Sequence, residues 1–393
     1  MSNDSTRAAL LIVLALGSSA CADEPSQADE ATQSESGGSD EGESPLELPE
    51  DFPQPVIPED NPLTAAKVEL GRHLFYADAL SANQTMSCAT CHLQELAFTD
   101  GEITALGSTG ELLARNSLGL TNSAYGSKLT WANPNLDQLE QQILIPMFGE
   151  FPVELGITGH EDEVLARFAE DPEYLGLFEA AFPGASEPVS FEHIVDALAS
   201  FIRILISGDS PYDRYKRGDT NAISESAARG AELFFSETLE CHHCHGGFNF
   251  SLATRHVDTT FTQNAFQNTG LYNIDGMGGY PPNNRGIYEF TFDPVDMGRF
   301  RPPSLRNVAV TGPYMHDGSV ETLEEVLDIY AAGGRDIAEG EPWAGDGRAN
   351  PHKSGLISGF EMSDQDRADV VAFLTSLTDE SFLADPRFGD PSL

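Results

Sequence analysis

The chain has 393 residues, enough for two or three domains of about 100–200 residues each, and a hydrophobic fraction of 40% supports buried cores. Its 63 acidic and 21 basic residues give a formal net charge of −42, which excludes nucleic acid and anionic membrane surfaces as electrostatic partners. The acidity favours basic proteins that the electric field attracts, or it serves only to keep an exported protein soluble.

Residues 1–21 have the pattern of an export signal. A single arginine precedes an apolar run at 8–16, which is too short to cross a bilayer because a spanning helix takes about 20 apolar residues. Cys21 follows small residues, as in the lipid-attachment site of bacterial lipoproteins, although Ser18 stands where that motif usually has leucine. Ordinary cleavage next to Cys21 would instead discard the cysteine. We predict a protein on the periplasmic side of a bacterial cell envelope, lipid-anchored through Cys21.

Residues 22–58 are rich in Asp, Glu, Ser and Pro and contain neither Lys nor Arg. Such a segment buries too little apolar surface to offset the entropy that ordering would cost. The composition therefore predicts a disordered acidic linker over 22–58.

Four of the five cysteines belong to two copies of one short motif, and the fifth is Cys21. The copies are Cys88-Ala89-Thr90-Cys91-His92 and Cys241-His242-His243-Cys244-His245. C-x-x-C-H is the attachment sequence for c-type haem. Its spacing lets two thiols reach the two vinyl groups on one porphyrin edge, while the histidine that follows reaches the iron. His242 and His243 fill the variable positions, and we interpret them as loop residues and not as ligands.

Other uses of four cysteines agree less well with this pattern. A redox C-x-x-C needs no histidine, and the two pairs lie about 150 residues apart, far beyond the 15–20 residues of a zinc ribbon. A disulfide framework is unusual in a long chain with so few cysteines. We therefore predict two covalently bound haem c groups, with His92 and His245 as iron ligands.

The rest of the chain is predicted to form helices and long loops. Helical patterns of apolar residues run over 136–145, 161–169, 173–182, 191–206 and 321–334, and Ser363 resembles the cap of a final helix. A G-x-x-L-F stretch ends a helical pattern ahead of each haem motif, at 71–75 and 230–234. We predict a mostly α fold of two cytochrome-c-like haem domains with long irregular loops, over 59–215 and 216–393.

Several longer stretches resemble the bacterial di-haem cytochrome c peroxidase superfamily. In family order they are GRHLFYADALS, SCATCH, AFTDG, ARNSLGLTN, SPYDRY, FRPPSLRNVAVTGPYMHDG and TLEEV, and they fall between about residues 61 and 377. The resemblance implies that hydrogen peroxide reacts at the N-terminal haem while the C-terminal haem relays electrons. Typical members carry a histidine after the first motif that blocks the iron at rest, whereas this chain has none between His92 and His160. The first iron is therefore predicted to be open to peroxide.

The resemblance also implies catalytic residues at the first haem. Glu154 matches a distal glutamate that moves a proton between the peroxide oxygens, with Glu150 as a nearby alternative. Gln142 matches a distal glutamine that positions these oxygens, with Gln141 as the alternative. Trp131 resembles the tryptophan that carries oxidising equivalents between the haems, although the residues after it depart from the family pattern.

A calcium site between the two domains is implied by the same resemblance. Asn116, Thr311 and Pro313 match its ligands, the last two through their backbone carbonyls. Oxygen ligands suit this hard cation.

Tyr330 stands where typical peroxidases place the methionine that completes the coordination of the C-terminal iron, seventeen residues after Pro313. A tyrosine there is typical of the branch of modifying enzymes that includes MauG and MbnH. Methionine raises the potential of a haem, whereas a phenolate donates charge and stabilises oxidised iron. Tyr330 also lies on the apolar face of its helix, so it is either an iron ligand or a core residue. Met315, Met297 and Met277 are the alternative ligands.

The leading prediction is an exported di-haem enzyme that uses hydrogen peroxide to oxidise tryptophan or tyrosine side chains of a partner protein. The alternative is a cytochrome c peroxidase that reduces peroxide to water with electrons from a small cytochrome or cupredoxin. A non-enzymatic electron carrier would need two six-coordinate haems, and the missing loop histidine argues against it.

Overall fold

The structure is a computed structural model that describes residues 44–261 and 265–392. The predicted export signal, with Cys21, and residues 22–43 of the predicted linker lie outside the described residues. The helices are α1 Ala65–Phe75, α2 Leu139–Phe148, α3 Glu161–Glu170, α4 Pro172–Ala181, α5 Phe191–Arg203, α6 Pro211–Lys216, α7 Glu225–Phe234, α8 Tyr288–Thr291, α9 Leu323–Ala331, α10 Asp364–Thr375 and α11 Glu380–Leu383. In the described part of the chain, strands form only one short antiparallel hairpin, β1 Asp336–Ile337 with β2 Gly345–Asp346.

The mostly α fold predicted from the sequence is confirmed. The five helices predicted from apolar periodicity correspond to α2, α3, α4, α5 and α9, with bounds within three residues of the prediction. Ser363 caps α10 through a reciprocal pair of hydrogen bonds with Asp366, and Thr322 caps α9 in the same way with Glu325. None of the helices in the described part of the chain is both long and apolar enough to cross a bilayer.

The glycine of each G-x-x-L-F stretch allows two helices to touch. A Cβ on Gly71 in α1 would lie 2.0 Å from the carbonyl oxygen of Ala197 in α5. A Cβ on Gly230 in α7 would lie 1.8 Å from the carbonyl oxygen of Asp369 in α10. Real Cβ atoms do not approach other atoms so closely, so only glycine permits either crossing. The helix ahead of each haem motif is therefore fixed against a partner helix in the same manner.

Three hydrophobic clusters hold these elements together. The first joins α1 to α5 around Phe201, and the second joins α7, α9 and α10 around Phe373. The third lies among the loops of residues 253–300 and includes Phe300. The end of the chain returns to the first cluster, because Phe382 and Phe388 pack there. The predicted boundary at residue 215 stays a prediction, but the tail of the predicted second domain packs on the first core.

Residues 44–58 differ from the prediction of a disordered linker. Phe52 is buried, with its ring 4.8 Å from the guanidinium of Arg306, and Tyr125 donates a hydrogen bond of 2.6 Å to the carbonyl oxygen of Pro53. The composition of the whole segment concealed this, because one aromatic ring and several prolines are enough to attach a short stretch to the fold. The predicted linker extended too far towards the first domain.

Candidate functional site

The two C-x-x-C-H motifs adopt the same local structure. A 3₁₀ turn covers Cys88–Thr90 in the first and Cys241–His243 in the second. The Nδ1 atom of His92 lies 2.7 Å from the carbonyl oxygen of Phe98, and that of His245 lies 3.2 Å from the carbonyl oxygen of Phe250. Both phenylalanines have positive φ angles, which turns their carbonyls towards the rings. Each imidazole therefore donates from Nδ1 and presents Nε2 as a free ligand atom, the arrangement that metal-binding histidines use.

The four motif cysteines are free thiols and not disulfides. Burial raises the pKa of Cys88 and Cys241 to about 12, so both are neutral thiols in the folded chain. Among the described residues, no cysteine lies in a group of three or more side chains close enough to hold a metal ion. The zinc and disulfide alternatives therefore have no geometric support in the described chain, whereas attachment to haem does.

Glu154 lies beside the first motif. Its charge acts on both Cys88 and Cys91, and its side chain is largely removed from solvent. Burial raises the pKa of Glu154 to about 7, which is the value a proton carrier needs near neutral pH. Glu150, the alternative in the sequence, is exposed to solvent. The backbone of Glu154 is held by a hydrogen bond of 2.8 Å from the Ser108 amide.

Gln142 lies in α2 with its Oε1 atom buried and without a hydrogen-bond partner among the described residues. Its neighbour Gln141 is exposed. A buried acceptor without a donor is unusual in a folded protein, so a donor supplied by a bound molecule would complete the site. Gln142 is therefore the more buried of the two candidates, and its distal role stays a prediction.

Tyr330 faces a large cavity next to the second motif. Cys241, Cys244, His245 and Tyr330, from the last turn of α9, all line this cavity. Burial raises the pKa of Tyr330, and the nearby sulfur atoms raise it further, so the phenol is neutral in the chain without haem. The structure therefore brings the predicted tyrosine ligand and the predicted proximal histidine to one cavity.

The three methionines considered as alternative ligands are placed differently. Met315 lines the same cavity as Tyr330. Met277 is 71% exposed, and Met297 packs against the third hydrophobic cluster without lining the cavity. Met315 is therefore the one methionine of these three that remains a competitor for the second iron.

Trp131 connects this cavity to the loop that follows the first motif. Its indole Nε1 donates a hydrogen bond of 2.8 Å to the backbone carbonyl oxygen of Asn116, and its ring lines the cavity. Its own carbonyl oxygen accepts a hydrogen bond of 2.8 Å from the Arg301 amide. The indole and the backbone of Trp131 are thus each fixed by a hydrogen bond, and its place between the haems stays a prediction.

The three residues predicted to bind calcium line one cavity. Asn116, Thr311 and Pro313 all contribute to the cavity of the second motif. The Asn116 side-chain amide nitrogen donates 2.9 Å to the carbonyl oxygen of Glu102, which leaves its Oδ1 as an acceptor for a cation. The calcium site itself stays a prediction.

Two further residues of this cavity were not singled out from the sequence. Burial lowers the pKa of Arg301 to about 10, and among the described residues no carboxylate forms an ion pair with it. His316 is buried with its ring stacked on Phe300 at 3.5 Å, and its Nε2 atom has no hydrogen-bond partner in the described chain. A buried cation requires an anion, and a haem brings two propionates. Both residues belong to the stretch FRPPSLRNVAVTGPYMHDG. The polar residues of this stretch were the sequence feature that could have identified them as site residues.

Comparisons with known proteins agree with this geometry. A family model described as di-haem cytochrome c peroxidase matches residues 65–221. Methylamine utilization protein MauG from Methylorubrum extorquens is 36% identical over 334 residues, which cover 84% of this chain and 83% of that protein. Cytochrome-c peroxidase IdrP1 from Denitromonas iodatirespirans is 34% identical over 345 residues, which cover 83% of this chain and 85% of that protein.

A solved structure is still more similar. It is a MauG-like protein associated with microbial copper homeostasis, 51% identical, with a TM-score of 0.86 over 88% of this chain and 99% of that one. The residues present fit two covalently attached haems, because each motif presents paired thiols and a free imidazole Nε2. The chain therefore belongs to the di-haem cytochrome c peroxidase family of peroxidase-type oxidoreductases, a family whose members carry two haem c groups.

Proposed function

We propose that this protein uses hydrogen peroxide to oxidise tryptophan or tyrosine side chains of a partner protein. The observation that carries the proposal is the position of Tyr330, which faces the same cavity as His245 and the second cysteine pair. A phenolate ligand from Tyr330 would favour an oxidised centre, which suits removal of electrons from a protein substrate more than collection of electrons from a donor.

The residues around the first motif provide proton transfer. When bound, the two haems supply peroxide reduction and hold the oxidising equivalents that result. Glu154, with its pKa near 7, takes the proton from one peroxide oxygen and returns it to the oxygen that leaves as water. Gln142 accepts a hydrogen bond at Oε1 from the same small molecule and so keeps it oriented towards Glu154.

The residues around the second motif provide the connection to the partner. Trp131, held by Asn116 and Arg301, is the aromatic group through which oxidising equivalents pass between the two sites. His245 and Tyr330, which line the same cavity, would both hold the second iron. Calcium at Asn116, Thr311 and Pro313 would join two loops. One contains Asn116, which accepts the Trp131 hydrogen bond, and the other contains Thr311 and Pro313.

We propose that the reaction takes place on the periplasmic side of a bacterial cell envelope. Export by residues 1–21 places the protein on the periplasmic side of the envelope, where c-type haems are attached, and Cys21 provides a lipid anchor. The 51% identical MauG-like protein is associated with microbial copper homeostasis, and we extend that association to the partner of this chain. The charge of −42 favours a partner with a basic face.

The alternative is a cytochrome c peroxidase fed by a small cytochrome or cupredoxin. Met315 favours it, because this side chain lines the same cavity as Tyr330 and methionine ligation would raise the potential of the second haem. Relatives that are 34% identical are named cytochrome c peroxidases.

Absorption and EPR spectra of the ferric holoprotein, before and after one equivalent of peroxide, distinguish the two functions. We expect one high-spin and one low-spin haem without a far-red methionine–iron band, and a long-lived EPR-silent state with a near-infrared band after peroxide. A methionine–iron band, with peroxide consumed only after reduction of the protein, would support the peroxidase instead.

A further inference from the structure

Three side chains converge on the outside of the second haem motif. The Nε2 atom of His242 lies 3.6 Å from Oε1 of Glu237, and the Nε2 atom of His243 lies 3.5 Å from Oε2 of the same carboxylate. One ligand atom from each of the three residues can be chosen so that all lie within 4.8 Å of one another. The function proposed above uses none of these residues, and from the sequence the two histidines are interpreted as loop residues.

The distances in this cluster differ from those of an ordinary histidine–carboxylate hydrogen bond. At 3.5–3.6 Å the atoms are beyond hydrogen-bonding distance, whereas His160 and Glu163 elsewhere on the surface lie 3.0 Å apart. Two ligand atoms on a tetrahedral ion with bonds of about 2.1 Å lie about 3.4 Å apart. The two histidine–carboxylate separations are therefore close to those of ligands around a shared ion.

The backbone presents the two imidazoles in a defined arrangement. The 3₁₀ turn Cys241–His243 follows Glu240, which has a φ of 56°, and its two neighbouring rings lie 4.3 Å apart at 31°. The His242 side chain is 25% exposed, and its Nδ1 atom is buried without a partner among the described residues. The His242 ring is held by the 3₁₀ turn and only partly exposed, and its Nε2 atom faces the Glu237 carboxylate. Such a ring is preorganised to bind a metal ion.

We propose that Glu237, His242 and His243 form a surface site for one divalent transition-metal ion. Imidazole and carboxylate ligands suit Zn²⁺, Ni²⁺ and Cu²⁺, with Cu²⁺ bound most tightly, and they discriminate against Ca²⁺ and Mg²⁺. Three protein ligands leave at least one coordination position open for water or for a side chain of another protein. The strongly negative field of the chain raises the local concentration of cations. The site does not depend on the function proposed above.

Zinc binding to the untagged full chain with both haems attached tests this proposal. Zn²⁺ is the probe because it neither takes part in redox chemistry nor absorbs visible light, and Ca²⁺ is kept in the buffer to fill oxygen-only sites. The protein is desalted and its bound zinc is measured by mass spectrometry, with affinity from competition against a chromophoric chelator. We expect one zinc per chain, displaced by one equivalent of Cu²⁺.

Three variants make the assignment specific. Glu237→Gln and His243→Gln should each weaken zinc binding by about tenfold or more, a loss that even outer-shell substitutions reach. His160→Gln, which removes an exposed histidine with a carboxylate partner but no second imidazole, should leave binding unchanged. Glu237 lies outside the C-x-x-C-H motif, so its variant remains informative if His243→Gln impairs haem attachment. Equal zinc binding by all three variants, an equal loss in all three, or no zinc in the wild type would overturn the proposal.

Discussion

The indole nitrogen of Trp131 donates a hydrogen bond of 2.8 Å to the backbone carbonyl oxygen of Asn116. Asn116 belongs to the loop that follows the first haem motif, and the Trp131 ring lines the cavity of the second. The bond therefore joins the two halves of the site through one aromatic side chain. Asn116 is buried, so its carbonyl oxygen lies away from bulk solvent.

Replacing Trp131 by phenylalanine should separate the two halves of the reaction. An aromatic ring is kept but the indole N–H and its hydrogen bond are lost, so a buried carbonyl without a partner should cost about 1–3 kcal/mol of stability. We expect oxidation of the partner protein to slow by at least about tenfold, equivalent to about 1.4 kcal/mol in the barrier. Stopped-flow spectra should show an unchanged first reaction with peroxide. An unchanged rate of partner oxidation would exclude Trp131 as the connecting group.

Replacing Glu154 by glutamine should remove the proton carrier at the first haem. Proton transfer by a positioned side chain contributes about 10²–10⁴-fold to a rate, so the second-order rate constant with peroxide should fall within this range. Glu150→Gln is the matched control, because this carboxylate lies four residues away and is exposed. A larger loss in Glu150→Gln than in Glu154→Gln would reverse the assignment.

The reaction with peroxide should depend on pH through Glu154. The carboxylate is the form that accepts the proton, and its pKa is raised to about 7 by burial. The rate should therefore rise between about pH 6 and pH 8, and this rise should be absent in Glu154→Gln. The free energy of unfolding should fall over the same pH range. The folded chain holds the Glu154 proton more tightly than the unfolded chain, so stability is lost as pH rises from the pKa of the unfolded carboxyl to the raised pKa of about 7 in the folded chain. Parallel pH profiles for wild type and variant would count against a proton-transfer role.

Replacing Tyr330 and Met315 separately should identify the ligand of the second iron. Tyr330→Phe should alter the low-spin spectrum of the second haem and abolish partner oxidation, whereas Met315→Leu should leave both unchanged. Tyr330→Met should raise the potential of that haem and confer oxidation of a small cytochrome donor. If Met315→Leu alone changes the spectrum, Tyr330 is a packing residue and the peroxidase function is favoured.

Replacing Gly71 by alanine should destabilise the first core. The new Cβ would lie 2.0 Å from the Ala197 carbonyl oxygen, and overpacking of this kind costs about 1–3 kcal/mol. Gly176→Ala is the matched control, since Gly176 also lies inside a helix, α4, but has nothing within 4 Å of its new Cβ. There alanine should stabilise the fold by about 0.5–1 kcal/mol. Chemical denaturation of both holoproteins measures the difference, and a neutral Gly71→Ala would contradict the close helix crossing.

Local features of this protein were predictable from short stretches of sequence. The C-x-x-C-H spacing is set by the covalent dimensions of the porphyrin, and helix caps such as Ser363 depend on hydrogen bonds within one turn. The G-x-x-L-F stretches marked the helix ends at Phe75 and Phe234, but not the helices that Gly71 and Gly230 would meet. The prediction of disorder for residues 44–58 was wrong because it considered only local composition. Phe52 packs against Arg306, which lies far along the chain.

The sequence by itself determined the helical fold class and the family and predicted the two haem attachment sites, because these follow from chemistry within a few residues and from motifs in order. Only the tertiary structure decided which side chains share an environment. It exposes Glu150 while it partly buries Glu154, it brings Tyr330 and Met315 to one cavity, and it points two motif histidines at Glu237. Burial and distance depend on segments remote in the chain, so no pattern within one stretch specifies them.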